Sequence, residues 1–357
     1  MDAQSMAKRF RVEGTMISCN RFGPGHINET YLVVTNRPHL YVLQNVNTSI
    51  FPDPVGLMNN IILVTEHLRE KDPDPRHVLT LVPTLEGENY ILAENDRLWR
   101  MYEYITGGVC LSQTESAEDL RQSAVAFGDF QRQLTDFDAS RLTEVIPKFH
   151  DTPNRYRNLR RAIEEDRMGR LKDVGPEVDF YLRREESAGF LTGLLHKGEL
   201  PLRVTHNDTK LNNVMLDETT RRPMCIMDLD TVMPGLAAYD FGDSIRFGAS
   251  TAEEDERDLS RVTMSLEYYR AYADGFLSAC GGSLTATEVE TLPEGARLMT
   301  LECGARFLTD YLEGDTYFHT EREGQNLDRA RTQMTLVTDM EKKWDEMKRA
   351  VMDGRGR

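Results

Sequence analysis

Over roughly the first hundred positions, apolar residues alternate with polar ones; beyond them the spacing changes to three and four. Three short β-rich runs, Gly14–Cys19, Thr30–Thr35 and Leu40–Gln44, are set apart by Gly, Pro and Asn punctuation. Asn59–Arg69 interrupts them with helical spacing that turns Ile62, Val64 and Leu68 toward a core. Two more strand-like runs follow, Asn89–Ala93 and Leu98–Ile105, and the Gly107-Gly108 pair ends the pattern. Beyond it the periodicity predicts helices over Ala117–Leu134, Asn158–Arg170, Val178–His196, Glu253–Ala279 and Thr287–Tyr311. The expected fold is α+β and bilobal: a small β-rich N-terminal lobe, residues 1–106, and a larger, mainly helical C-terminal lobe, residues 107–357. A last helix, Leu327–Met352, carries an apolar seam that predicts packing on its own lobe, with dimerisation as the alternative use. A monomer is expected.

Composition narrows the class of partner. The 357 residues are 39% hydrophobic and 29% charged, enough for a sizeable core and too apolar for global disorder. Forty-three basic against 59 acidic residues leave a net charge of −16, which argues against nucleic acid and anionic membrane as partners. A phosphate-bearing small molecule stays open, since a few local donors and a divalent cation overcome a distant field. The five cysteines (Cys19, Cys110, Cys225, Cys280 and Cys303) are scattered without a CxxC, which suits reduced thiols. No segment approaches the roughly 18 apolar residues of a membrane span, and MDAQSMAKRFRVEG has no signal-peptide core. A cytoplasmic protein is expected.

The chemistry concentrates between Leu202 and Gly248. Asp208 follows His206 by two positions, and Asn213 follows Asp208 by five, the offsets of a kinase catalytic loop. Lys210 stands where a cation can neutralise a transferring phosphoryl group, and the run Met224–Met227 delivers Asp228 after a polar turn. Phosphoryl transfer needs a carboxylate to orient and deprotonate the acceptor hydroxyl, the role expected of Asp208. It also needs hard oxygen ligands for Mg2+, expected of Asn213 and Asp228, with ATP as co-substrate. A lone loop Asp or Asn is ordinarily a turn or cap residue. Four matched types followed by a strand and a further Asp are not.

This segment resembles the aminoglycoside phosphotransferase and choline kinase superfamily, which implies a protein-kinase-like bilobal fold acting on small molecules. Asp240 in AAYDFGDS matches that group's bracing Asp, and neither Phe-Gly after Asp228 nor an APE-type peptide segment is present. Within the superfamily, GPGHINETYLV, LQNVNTSIFPD, LRVTHNDTKLNN, MDLDTVMPG and ECGARFLTDYLEGDTYF resemble the N-acetylhexosamine 1-kinases, along nearly the whole chain. The resemblance implies an ATP-dependent reaction on the anomeric hydroxyl of N-acetylglucosamine or N-acetylgalactosamine. It implies that Asp208 and Asp230 bind the amino sugar together with His26, Arg306 and Tyr317. Read alone, His26 equally suits a turn, Arg306 a structural ion pair and Tyr317 core or surface filler.

On the nucleotide side, the loop with Gly23, Gly25 and Asn28 is expected to cover the phosphates with its amides. The segment with Tyr102 and Tyr104 is expected at the adenine. Gln44 stands where many kinases carry a phosphate-pairing Lys, so a Lys–Glu pair with Glu66 is in doubt. The N-acetylhexosamine 1-kinases also have Gln at this position. The alternatives are a homoserine, choline or aminoglycoside kinase, or a non-catalytic pseudokinase-like binding protein.

Overall fold

The computed structural model describes residues 2–23, 28–93 and 97–355, the side chain of Arg355 excepted. The chain divides into two compact units. The first joins Met1–Val109, Ser140–Pro147 and Met215–Met233, and the second Cys110–Ala139, Lys148–Val214 and Pro234–Arg357.

The first unit opens with a short helix, α1 (Ala3–Ala7), capped by Asp2, whose Oδ1 accepts the Ser5 N–H at 2.7 Å. An antiparallel sheet follows, built from β1 (Met16–Arg21), β2 (Glu29–Thr35), β3 (Leu40–Val46), β4 (Ile91–Leu92) and β5 (Leu98–Glu103) in the order β1-β2-β3-β5-β4. Period-two alternation sends Val33, Tyr41, Leu43, Trp99 and Met101 into a cluster with Met6, Ala7, Phe10 and Cys19. The opposite face therefore carries Thr30, Gln44 and Arg100, which the register aligns in one row. Between β3 and β4 runs α2 (Pro54–Lys71), started by Asp53 as cap and Pro54 in its first turn. The later strands are β6 (Gly108–Cys110), β7 (Arg203–Thr205), β8 (Val214–Asp217), β9 (Pro223–Ile226) and β10 (Met233–Gly235). β8 and β9 form a hairpin whose turn is fixed by Asp217 Oδ1, which accepts the Thr219 and Thr220 N–H groups.

The second unit is helical: α3 (Ala117–Gln133), α4 (Thr152–Glu165), α5 (Gly175–Leu182), α6 (Phe190–His196), α7 (Ala237–Gly248), α8 (Leu266–Cys280), α9 (Ala286–Glu313), α10 (Gln325–Lys342) and α11 (Trp344–Arg355). The mixed α+β architecture expected from the pattern and the protein-kinase-like fold implied by the resemblance are both found, and the departures lie among the helices. Asp151 caps α4 and starts it at Thr152, ahead of the periodic residues. A 3-10 turn, Glu185–Gly189, splits the expected Val178–His196 helix. The Glu253–Val262 stretch is a loop, closed where Thr251 N donates to Thr263 O at 3.0 Å, so α8 begins only after the Ser265 cap. The expected C-terminal helix breaks at Lys343, and its seam (Leu327, Ala330, Val337, Met340, Met347 and Val351) is buried within the unit. None of the five cysteines forms a disulfide among the described residues, and no described helix is long and apolar enough to cross a membrane.

One packing contact bears directly on the chemistry. α7 crosses α9 almost backbone to backbone, because a Cβ on Gly295 would lie 2.2 Å from the Ala238 carbonyl oxygen and one on Gly242 would lie 2.3 Å from the Gly295 carbonyl oxygen. Only glycine fits at either position, and this contact fixes α7, which carries Asp240 and Asp243.

Candidate active site

The His206–Asn213 loop of the second unit leaves β7 and is held by side chains of α7. Asp240, fully buried, accepts the His206 N–H at 2.9 Å, the Asn207 N–H at 2.8 Å and Gln131 Nε2 at 3.1 Å. Burial raises its pKa above the ordinary carboxylate value, with the His206 and Asn207 amides opposing that rise. Asp243 Oδ2 accepts the Thr209 N–H at 3.0 Å, and its Oδ1 pairs with Arg246. Burial alone would raise the Asp243 pKa, yet Arg246 and Lys210 outweigh it and lower it. Ser244 Oγ donates to Thr209 O at 2.8 Å and is itself bonded by Tyr272. Three backbone N–H groups of the loop and the Thr209 carbonyl are thus tied to α7.

That scaffold sets the reactive side chains. Asn207 adopts φ 63°, a left-handed conformation that Asn tolerates better than most residues, and Asp208 follows it directly. His206 is buried edge-on to Phe127 and Phe130, and its Nδ1 accepts the Asp208 N–H at 3.3 Å. His206 therefore shapes the loop. The Asp208 carboxylate stays partly exposed, with Oδ2 bonded by Asn213 Nδ2 at 3.0 Å and Oδ1 paired with Lys210 Nζ at 3.0 Å. Asp208 raises the pKa of Lys210, keeping it a cation. Because Asn213 donates through Nδ2, its Oδ1 is the acceptor end of the amide.

Asp228, in the first unit, also has left-handed backbone, φ 53°. Among the described residues no group of three His, Cys, Asp or Glu side chains forms a metal cage. The Asn213 amide oxygen and the Asp228 carboxylate are each, by chemistry, hard ligands of the kind Mg2+ takes.

The second unit also holds Arg306 and Tyr317 together. The Arg306 guanidinium lies 5.6 Å from the Tyr317 ring centroid and 5.3 Å from that of Phe149, and its Nη2 reaches Tyr317 Oη at 3.4 Å. Tyr317 is 61% exposed, so its ring is not core filler. Its position comes from Asp310, buried in α9, whose carboxylate accepts the N–H groups of Thr316, Tyr317 and Phe318 at 2.8–2.9 Å. Sequence reading missed Asp310, although its place one turn before the Gly314 helix end was a signal. It also missed a buried dyad in which His150 Nδ1 lies 2.9 Å from Glu302 Oε1, with Thr152 donating to Oε2 at 2.7 Å. Burial works to raise the Glu302 pKa, but His150, Arg155 and Arg306 prevail and lower it.

In the first unit the expected nucleotide residues have partners of their own. Gln44 Oε1 accepts Arg100 Nη2 at 2.8 Å and Nε at 3.0 Å, while Glu66 is exposed on α2. Arg100 Nη2 lies 2.5 Å from Asp230 Oδ1, in a pair whose side chains are 2% and 5% exposed. Burial opposes the charge on Arg100, yet Asp230 and its neighbours raise its pKa above the ordinary value. Asn28 Nδ2 donates to Asp230 Oδ2 at 2.6 Å, and Asn28 Oδ1 accepts the Asn47 N–H. Tyr102 is buried beneath the Arg100 guanidinium, and burial raises its pKa. Near the expected adenine segment, Glu103 N and Tyr104 N donate within the unit, to Thr80 O and Leu40 O. Gly23 sits at φ 74°, the turn conformation glycine favours. Gly25 and His26 lie outside the described residues.

The fold is shared with known proteins. The structure is similar to an aminoglycoside phosphotransferase from Alicyclobacillus acidocaldarius subsp. acidocaldarius DSM 446, with a TM-score of 0.66, 12% identity and coverage of 99% of this chain and 97% of that one. It is similar to the amicoumacin kinase hAmiN, solved in complex with AMP-PNP, Ca2+ and Ami, with a TM-score of 0.63, 13% identity and coverage of 96% and 94%. It is also similar to a microcompartment-associated aminopropanol kinase, with a TM-score of 0.59, 16% identity and coverage of 97% of both chains. These likenesses are of fold. The family profile described as the phosphotransferase enzyme family matches residues 18–274 of the sequence. The chain belongs to the phosphotransferase enzyme family.

Proposed function

We propose that the protein is an ATP-dependent anomeric kinase that converts N-acetylglucosamine or N-acetylgalactosamine to the sugar 1-phosphate. The observation that carries the acceptor class is the exposed Tyr317 ring beside the Arg306 guanidinium, fixed by Asp310. A flat aromatic body for the apolar sugar face and a charged fork for its hydroxyls are what carbohydrate recognition requires. The scattered sequence strings shared with the N-acetylhexosamine 1-kinases support the same acceptor.

In this reading Asp208 accepts the proton of the anomeric hydroxyl as O1 bonds to the γ-phosphorus and the bond to ADP breaks. Lys210, already a cation beside Asp208, offsets charge on the transferring group. Asn213 Oδ1 and Asp228 would hold Mg2+, which when bound neutralises charge on the phosphate oxygens. Asp230 accepts hydrogen bonds from sugar hydroxyls, since its Oδ1 is ion-paired with Arg100 but accepts no hydrogen bond and its Oδ2 accepts one, from Asn28. The amicoumacin kinase solved with AMP-PNP and Ca2+ supports nucleotide and divalent-cation use in this fold.

A screen of ADP release with N-acetylglucosamine, N-acetylgalactosamine, choline, homoserine and kanamycin tests the acceptor. Turnover of at least one amino sugar, above the other three compounds, is the expected result. Turnover of choline, homoserine or kanamycin alone would replace the sugar with that class, and no turnover at all would favour a binding protein.

A further inference from the structure

Around Asp230 the first unit contains a buried polar cluster, two members of which, Gln44 and Arg100, have no part in the phosphoryl-transfer reading. Gln44 and Arg100 are directly paired positions of β3 and β5, on the sheet face opposite the hydrophobic cluster. Gln44 Oε1 takes two guanidinium N–H groups, and Arg100 Nη2 meets Asp230 Oδ1. Asn28 holds the other Asp230 oxygen at 2.6 Å. The carboxylate is clamped from two sides, by a strand residue and by a loop residue.

We propose that Arg100 is a positioning residue for the acceptor-binding carboxylate Asp230, and that Gln44 is the neutral clamp this ion pair requires in place of a β3 lysine. The assignment of Asp230 to the acceptor rests on the function proposed above; the chemistry of position 44 does not. A lysine there would set a second cation against a guanidinium that is 1% exposed and would remove the acceptor of two of its N–H groups. Leaving such donors unpaired in a buried place is costly. The competing role for Arg100, a direct anchor for nucleotide phosphate, fits less well. Its Nε and Nη2 are engaged, and Nη1, which has no hydrogen-bond partner, is buried. A phosphate oxygen would reach the guanidinium only by breaking the clamp.

The test uses the full-length protein with Gln44→Lys, Arg100→Lys and Asn28→Ala, each checked for an intact thermal transition. Equilibrium titration with ATP and Mg2+ and the KM for N-acetylglucosamine are measured for each. Lysine cannot reproduce a forked pair, so Arg100→Lys is expected to raise the acceptor KM about tenfold while ATP affinity stays within about threefold. Gln44→Lys is expected to do the same, without any gain in ATP affinity. If the buried substitutions do not fold, Asn28→Ala, at a half-buried position, tests the same clamp and is expected to raise the acceptor KM alone. A gain in ATP affinity or kcat in Gln44→Lys overturns the proposal. So does a tenfold loss of ATP affinity in Arg100→Lys, which would make Arg100 a nucleotide anchor, or an unchanged acceptor KM in every folded variant. If the wild type turns over neither amino sugar, the acceptor reading falls. The ATP titrations then decide on Arg100: unchanged affinity in Arg100→Lys supports the clamp, and a tenfold loss refutes it.

Discussion

The loop before Asn213 and the sheet face around Arg100 both depend on buried acids, but they use them in opposite ways. In the loop, Asp240 and Asp243 are the holders: they sit on a helix and grip backbone N–H groups of the segment that carries Asp208. On the sheet, Asp230 is the residue held, by an arginine and an asparagine that come from elsewhere in the unit. A carboxylate that caps backbone donors makes a rigid platform, and its charge is absorbed by those donors. A carboxylate paired with arginine keeps its remaining lone pairs for a ligand. In the proposed reading, the difference separates parts that hold the machinery from parts that meet substrate.

The contrast can be broken in several places, and the largest effect is expected at its reactive end. Asp208→Asn keeps the shape of the side chain but removes the base and leaves a single acceptor oxygen for Asn213 and Lys210; kcat should fall by about 10²–10⁴-fold, with ATP affinity little changed in a binding titration. Equal turnover would remove Asp208 as the base. Asp240→Ala leaves two buried backbone N–H groups without their acceptor, at about 1–3 kcal/mol each, read as a lower denaturation midpoint together with a lower kcat. A variant as stable and active as the wild type would show that the loop keeps its own shape, and the contrast with the sheet would collapse.

Smaller effects sharpen the same picture. Glu302 has a depressed pKa in the folded chain, so the stability that its ionised carboxylate contributes is complete above the ordinary carboxylate range and is lost as pH falls through the lowered value. Glu302→Gln is therefore expected to cost about 1–3 kcal/mol near neutral pH, with a gap in melting temperature that narrows in acid. A gap that widens in acid contradicts the assignment. Tyr317→Ala removes an exposed ring without disturbing the core, and a threefold to tenfold rise in the amino-sugar KM is expected, about 0.5–1.5 kcal/mol of aromatic contact, at nearly constant kcat. An unchanged KM would take Tyr317 out of the acceptor site.

What could be read from the sequence follows the same division between local and long-range contacts. His206, Asp208, Lys210 and Asn213 lie within one short loop, so their offsets alone encode the geometry that the structure displays. The strand alternation was legible for the same reason: a two-residue period records which face is buried. Arg100 was invisible because its partners, Gln44 and Asp230, are brought to it by strand register and by the segment after β9. His150 and Glu302 belong to distant segments and meet only through tertiary packing. Helix α7 was not among the expected helices; Gly242, a residue that disfavours a helix interior, is needed where α7 touches α9. Gln44 was recognised as a departure, but its meaning lay on the neighbouring strand.

The central claim, phosphoryl transfer to an anomeric hydroxyl, is tested most directly by identifying the product. The protein is incubated with ATP, Mg2+ and N-acetylglucosamine, and the reaction is followed by phosphorus NMR with coupling to the sugar protons. The account predicts a phosphorus signal coupled to the proton on C1, growing with ADP, and N-acetylgalactosamine serves as the second acceptor. Phosphate on any other sugar carbon, or ADP accumulating with no sugar phosphate from either acceptor, would contradict it.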